Sequence, residues 1–166
     1  MSFKVDWSGR SINYTKEEID AVVEVMQSGD PQTQGHYLEM FENDFAQYVG
    51  SPHCFGVTNC THALELCADL TGIKKGDEVI LPGHTYCASA IPFARTGATI
   101  CWADIDPDTF LVSLDSIRSL TNSRTKVIVV VHLYGLMCDI DAIAEFAASK
   151  NILLVEDCAQ SLGAFR

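Results

Sequence analysis

A polar turn at residues 58–64 carries groups that could bind an anion. Asn59 can cap the helix expected after it, which would leave the backbone N–H groups of Cys60, Thr61 and His62 without intrahelical acceptors. Together with the Thr61 hydroxyl, these donors would form a pocket suited to a phosphate. The alternative is a plain helix N-cap with no ligand, and the stretch alone favours neither interpretation.

An aromatic side chain ends the second segment, residues 82–86. Tyr86 follows a short apolar stretch and could lie flat against a planar ring ligand. The alternative is that Tyr86 packs in the protein core, and the segment taken by itself favours that alternative. The tyrosine therefore becomes informative only in combination with other groups.

Two acidic residues, Glu156 and Asp157, directly follow the apolar stretch 152–155. A carboxylate next to buried strand residues is costly unless another group pairs with it. At such a position it could hold a pyridinium N–H, a metal ion or a ribose. A carboxylate that keeps a pyridine nitrogen protonated allows the ring to act as an electron sink. The alternative is an ordinary acidic turn or helix cap.

Hydrophobic periodicity predicts the elements that carry these segments. Strands are predicted at 54–58, 78–81, 99–103, 126–132 and 152–155, and helices at 61–71, about 86–95, 114–120 and from 139 or 141 to 150. Alternating strands and helices with short connections predict an α/β fold with a mostly parallel sheet flanked by helices. Ligands bind such sheets beyond the carboxyl ends of the strands, where all three segments lie. Together they indicate a pocket for a phosphorylated planar heterocycle.

The first fifty residues predict a separate arrangement, an extended lead followed by two helices. Thr15 begins the first helix with a capping box that includes Glu18, and Gly29 ends it. Gly50 ends the second helix. We therefore divide the chain into residues 1–50 and an α/β domain at residues 51–166.

Composition excludes several classes of function. The net charge of −11 disfavours nucleic-acid binding, which requires clustered Lys and Arg. No apolar run is long enough to span a bilayer and the start does not read as a signal peptide, so we expect a cytoplasmic protein without a membrane partner. The seven cysteines form no CxxC pair, which favours free thiols in a reducing compartment. No metal site is predicted, because the spacing of His53, Cys54, Cys60 and His62 matches no standard zinc motif.

Seven sequence blocks occur along essentially the whole chain: TQG (33–35), the segment 41–50, TNCTHAL (58–64), GDEVILP (76–82) with 85–86, DIDP (104–107), VHLYG (131–135) and EDCAQSLGA (156–164). Together, and in this order, these blocks resemble one family, the DegT/DnrJ/EryC1/StrS aminotransferases. The resemblance implies the fold type I of aspartate aminotransferase, with residues 51–166 as an incomplete part of the large domain that binds pyridoxal 5′-phosphate.

Positions matching the family motifs imply specific cofactor contacts. The backbone around Cys60 and the hydroxyl of Thr61 would hold the cofactor phosphate, and Tyr86 would stack on the pyridine ring. Asp157 would pair with the ring nitrogen, and Gln160 would approach the phenolic oxygen. One departure is notable, because Cys60 stands where the family usually has glycine.

The resemblance also implies an activity and an assembly. Members of the family are generally homodimers, and they transfer an amino group from glutamate or glutamine to a keto-sugar nucleotide or a cyclitol. Their Schiff-base lysine would lie downstream of Arg166. None of the six lysines of this chain is expected at the ligand edge of the sheet, so none could replace the Schiff-base lysine. We therefore expect no catalytic residue within this segment and no transamination by the segment alone.

Three other interpretations remain at this stage. A sugar dehydratase of the same family would carry a histidine in place of the lysine. A non-catalytic fragment could bind the cofactor or serve a regulatory role. A free-standing flavodoxin-like domain is disfavoured by the two N-terminal helices and the lack of a GxGxxG turn.

Overall fold

A computed structural model describes residues 13–31 and 33–164, which fall into two compact units, Met1–Gly56 and Val57–Arg166. In the first unit, helix α1 (Lys16–Ser28) begins at Thr15. The Thr15 hydroxyl accepts the Glu18 N–H at 3.2 Å, and Glu18 Oε2 accepts the Thr15 N–H at 2.6 Å. The predicted capping box is therefore confirmed. Most of the predicted extended lead, residues 1–12, lies outside the described residues.

A glycine in the left-handed backbone conformation ends each of the two helices of this unit. Gly29 follows α1 with φ 76°, and Gly50 follows α2 (His36–Val49) with φ 69°. Glycine adopts this conformation without the steric cost that a Cβ would impose. Neither helix has a fully buried side chain, so both keep apolar residues exposed.

The second unit is built on a parallel sheet of four strands. The strands are β1 (Glu78–Pro82), β2 (Thr99–Ala103), β3 (Thr125–Val131) and β4 (Leu153–Asp157). Their order across the sheet is β2-β1-β3-β4, and every neighbouring pair runs parallel. The predicted α/β class with a parallel sheet is confirmed.

Helices cover both faces of the sheet. They are α3 (Cys60–Leu70), α4 (Ile91–Arg95), α5 (Leu114–Leu120) and α6 (Ile140–Ser149). One face packs Val127 and Val129 against the side of α3 and α4, and the other packs Ile128 and Val130 against the side of α5 and α6. Burial on both faces explains why β3 is continuously apolar rather than alternating. No helix among the described residues has the length and apolarity needed to cross a membrane.

Two predicted elements differ from the structure. Residues 54–58, predicted as a strand, pair with no strand among the described residues. A strand depends on a hydrogen-bonded neighbour, which a local sequence pattern cannot supply. The helix predicted from Tyr86 is interrupted, with a 3₁₀ turn at Cys87–Ser89 followed by α4. Pro92 has no backbone N–H and clashes with a preceding helical turn, so one continuous helix could not form.

A polar cluster ties the amino end of β1 to the loop before β3. The Glu78 side chain is buried, and its oxygens accept hydrogen bonds from Asn122 Nδ2 at 2.6 Å and Arg124 Nε at 2.8 Å. The hydrogen bond from Asn122 and the charge and hydrogen bond of Arg124 lower the pKa of Glu78 below its ordinary 4.5, against burial, which raises it. The cluster therefore joins segments more than forty residues apart in the chain.

Replacing Glu78 with glutamine should lower the free energy of unfolding at pH 7 by about 1–3 kcal/mol, because a charged acceptor for two donors is lost. Since the folded pKa of Glu78 is lowered, its stabilisation is present above about pH 4.5 and is lost as the pH falls through the folded value. Urea unfolding of the wild type and of Glu78→Gln at pH 7 and pH 3 measures both effects.

The matched control is Glu65→Gln, which breaks the exposed pair between Glu65 and Arg95 and should cost below about 1 kcal/mol at pH 7. Equal losses for the two variants at pH 7, or a loss in Glu78→Gln that is as large at pH 3 as at pH 7, would contradict the role of the Glu78 cluster.

Candidate functional site

Asp157, the last residue of β4, is a carboxylate held in a largely buried position, with 5% of its surface exposed. Ser89 Oγ donates to Oδ2 at 2.7 Å, and the Ala159 N–H donates to Oδ1 at 3.1 Å. The Cys60 thiol also donates to Oδ1, at 3.7 Å. Among the described residues no Lys, Arg or His forms an ion pair with Asp157. Hydrogen bonds from neutral donors therefore compensate this buried group.

Two hydroxyls that the sequence analysis missed extend this network. Ser89 lies in the 3₁₀ turn after β1 and is almost fully buried. Its oxygen lies 2.8 Å from Thr85 Oγ1, and because Ser89 donates to Asp157, Thr85 is the donor to Ser89. Two small polar residues in an otherwise apolar turn at the carboxyl edge were the only sequence signal for them.

The start of α3 leaves backbone donors open, as predicted, but fewer of them. Asn59 is the N-cap, and its Oδ1 accepts the His62 N–H at 3.0 Å, so the prediction that this N–H is free is wrong. The N–H groups of Cys60 and Thr61 find no acceptor among the described residues. The positive end of the helix dipole adds to these donors, so the turn can receive an anion.

Tyr86 and Gln160 border the same edge of the sheet. The Tyr86 side chain is 72% exposed, so the alternative in which it packs in the core does not apply. Tyr86 immediately precedes the turn that carries Ser89. Gln160 Oε1 accepts the Tyr134 N–H at 3.3 Å, which fixes the Gln160 amide against the turn after β3. The ring of Tyr134 in turn lies 6.0 Å from that of His84, beyond the end of β1.

Glu156 lies on the opposite face of the sheet from Asp157, because neighbouring strand residues alternate. Glu156 Oε2 lies 2.9 Å from Nε2 of His132, a buried residue that the sequence analysis did not select. Nδ1 of His132 accepts the Cys138 N–H at 3.1 Å, so Nε2 carries the proton and donates to Glu156.

Glu156 and His132 also form a cluster with Cys158, and the three potential ligand atoms lie within 4.8 Å of one another. A metal ion would need a lone pair on His132 Nε2, which is protonated because Nδ1 accepts a hydrogen bond. The donor set therefore fits a hydrogen-bonded histidine–glutamate pair better than a metal centre.

Cys60 joins the helix start to the carboxylate. Its backbone belongs to the first turn of α3, and its thiol reaches Asp157. Partial burial of the thiol, and then the charge and hydrogen bond of Asp157, raise the pKa of Cys60 to about 11. At neutral pH the thiol is therefore protonated and acts as a hydrogen-bond donor rather than as a nucleophile.

The lysines of the second unit and one large cavity lie away from this network. A cavity of about 590 Å³ opens near the amino ends of β3 and β4, lined by residues that include Arg118, Lys126, Phe146 and Lys150. Asp157 lies at the carboxyl end of β4, at the opposite edge of the sheet. Volume alone therefore does not identify the chemically equipped site.

Comparison with known proteins matches the DegT/DnrJ/EryC1/StrS aminotransferase family over residues 13–165. Among curated relatives, the GDP-perosamine synthase of Caulobacter vibrioides is 42% identical over 147 residues, covering 89% of this chain and 40% of the relative. The L-glutamine:2-deoxy-scyllo-inosose aminotransferase of Streptomyces fradiae is 38% identical, covering 87% of this chain and 35% of the relative. This chain thus spans about two fifths of the length of such relatives.

Solved structures lead to the same family. The aminotransferase from Psychrobacter cryohalolentis superposes with a TM-score of 0.87 at 36% identity, covering 91% of this chain and 38% of that protein. At this identity, the likeness supports a common fold and family. The arrangement of β1–β4 with α3–α6 is therefore part of a fold type I aminotransferase domain.

Replacing Asp157 with asparagine should speed alkylation of Cys60 by iodoacetamide at pH 9 about three- to tenfold. Removing the negative charge removes the second cause of the raised thiol pKa, so more thiolate forms at that pH, while the effect of burial remains. Peptide mass mapping during alkylation measures the rate at each cysteine.

Cys67 of α3 is the internal control, because burial alone raises the pKa of its thiol. Its rate should not change in Asp157→Asn. Equal acceleration at both cysteines would indicate general loosening of the unit, and an unchanged Cys60 rate would rule out the Cys60–Asp157 contact.

Proposed function

Since the chain belongs to the DegT/DnrJ/EryC1/StrS aminotransferase family, we propose that its residues form the cofactor-binding part of a pyridoxal-phosphate-dependent aminotransferase. The protein would transfer an amino group from glutamate or glutamine to a keto-sugar nucleotide or a related polyol. The activity belongs to the whole polypeptide of a family member, of which this chain corresponds to about two fifths.

The observation that carries the proposal is the 3.7 Å contact between Cys60 Sγ and Asp157 Oδ1. It joins the open helix start, where an anion can bind, to a buried carboxylate that can receive a ring N–H. A ligand with a phosphate at one end and a protonated heterocycle at the other therefore finds a binding partner for each group within one small region. Pyridoxal phosphate has this chemistry, and the donor set of the chain fits it.

Each residue of the site then has a defined task. The Cys60 and Thr61 N–H groups and the Thr61 hydroxyl would hold the phosphate, and Asp157 would hold the ring nitrogen in its protonated form. Tyr86 would cover one face of the ring and limit the access of water to it, and Gln160 would orient the phenolic oxygen. When bound, the cofactor supplies an electron sink for proton removal from the amino donor.

The substrate class is supported by the names of the relatives. One relative is a GDP-perosamine synthase and another is an L-glutamine:2-deoxy-scyllo-inosose aminotransferase, so a nucleotide sugar and a cyclitol both occur among proteins similar to this chain. All seven cysteines are free thiols, which supports a reducing, cytoplasmic location.

We further propose that residues 1–166 lack the Schiff-base lysine. Lys126 and Lys150 lie at the amino ends of β3 and β4, and Lys74 and Lys75 precede β1. Asp157 lies at the other edge of the sheet, so these amines do not face the site. Lys16 belongs to α1 in the other unit, and Lys4 lies outside the described residues.

A homodimer is proposed on two grounds, the family and the exposed apolar side chains of the first unit. Among the described residues these side chains are Tyr14, Ile19, Val22, Val23, Met26, Tyr37, Met40, Phe41, Tyr48, Val49 and Phe55. Sedimentation equilibrium should give twice the 18.2 kDa chain mass. Val22→Glu should shift the protein to the monomer, whereas Leu70→Glu in the other unit should not; a monomeric wild type would refute the dimer.

Titration with pyridoxal phosphate, followed by its absorbance, tests the cofactor site. Asp157→Asn should weaken binding about tenfold, because the ring nitrogen loses a charged partner. Asp69→Asn, at an exposed carboxylate near the end of α3, should bind like the wild type.

Borohydride reduction followed by intact-mass measurement tests the lysine proposal in the same samples. The 166-residue chain should remain without a covalent cofactor adduct. An adduct mapped to one of its lysines would refute that proposal, and equal affinity of Asp157→Asn and the wild type would refute the role of Asp157.

A further inference from the structure

Cys60 contributes to both ends of the proposed cofactor site, through its backbone at one end and its side chain at the other. Its backbone N–H belongs to the open start of α3, and its thiol donates to Asp157 Oδ1 at 3.7 Å. The side chain of this one residue therefore links the start of α3 to the buried carboxylate.

The donors around Asp157 are unevenly shared between its two oxygens. Among the described residues, Oδ1 receives the Ala159 N–H and the Cys60 thiol, whereas Oδ2 receives one donor, the Ser89 hydroxyl. Ser89 and Ala159 both follow strands along the chain, but Cys60 approaches from the start of α3. Cys60 is thus the donor that restrains the carboxylate from the side of the helix.

The charged neighbours do not replace this restraint. Glu156 lies on the other face of β4 and is paired with His132, and the Cys158 thiol has its pKa raised by burial and by the two adjacent carboxylates. The described residues bring no cation to Asp157. Each hydrogen bond to the carboxylate therefore restrains its orientation, and the loss of one donor would leave it less firmly held.

We propose that Cys60 is a positioning residue, whose thiol holds the Asp157 carboxylate in the orientation that receives the ring nitrogen of pyridoxal phosphate. This inference rests on the proposed function. It assigns to Cys60 a side-chain role at the ring nitrogen in addition to the backbone contact with the phosphate. Because the thiol keeps its proton at neutral pH, it can act as this donor there.

Two ligands and two variants separate the proposed role from a merely structural one. The ligands are pyridoxal phosphate and its analogue in which the ring nitrogen is replaced by C–H, which keeps the phosphate and the ring shape. The variants are Cys60→Ala, which removes the donor but retains Cβ, and Cys60→Ser, which replaces the thiol with another donor. Equilibrium dissociation constants are measured for the 166-residue protein and both variants by absorbance or fluorescence titration.

Cys60→Ala should bind pyridoxal phosphate about three- to tenfold more weakly than the wild type, because a hydrogen bond to the partner of the ring nitrogen is lost. The same variant should bind the C–H analogue within about twofold of the wild type. Cys60→Ser should bind both ligands within about twofold of the wild type, since its hydroxyl also donates.

Each of the other possible outcomes contradicts a specific claim about the site. Equal weakening of both ligands in Cys60→Ala would overturn the inference, because Cys60 would then act through the phosphate turn alone. Unchanged binding of both ligands would also overturn it. A wild type that binds neither ligand would overturn the proposed function and the inference together. A wild type that binds both ligands equally well would refute the pairing of Asp157 with the ring nitrogen.

Discussion

The buried carboxylate of Asp157 is the constraint on which the rest of the site depends. A charged group in this position must be compensated, and no cation among the described residues does so. Three neutral donors from three places in the sequence, Ser89, Ala159 and Cys60, converge on it instead. Each donor requires its own element to be correctly packed: the turn after β1, the turn after β4 and the first turn of α3. The environment of this one side chain therefore depends on the correct folding of all three of these segments.

The parallel sheet makes that convergence feasible. In parallel strands all carboxyl ends meet at one edge, so residues that follow β1 and β4 become neighbours although almost seventy positions separate Ser89 from Asp157. The continuously apolar β3 lies between these two strands and is buried on both faces, which fixes their spacing. Strand alternation then separates the two adjacent acids: Asp157 faces the proposed site, and Glu156 pairs with His132 on the other face.

The distribution of charge agrees with the proposal that the phosphate is held without a lysine side chain. The chain carries a net charge of −11, and the described lysines of the second unit lie at or before the amino ends of the strands. In the proposed site, backbone N–H groups at the start of α3, reinforced by the helix dipole, would bind the anion at the other edge. Directional N–H groups would bind it in a fixed orientation, which suits the proposed cofactor, whose ring would meet Asp157 at the same time.

The amino-acid pattern by itself determined the α/β class, the parallel sheet, the capping box of α1 and the position of Asp157 at a strand end, because periodicity and capping depend on residues close together in sequence. Tertiary structure alone decided the rest. No strand forms at 54–58, because strand pairing needs a distant partner, and the Asn59 side chain uses the His62 N–H that the sequence left open. Ser89 and His132 were missed for the same reason: their roles come from contacts with Asp157 and Glu156, which only folding brings within hydrogen-bond distance.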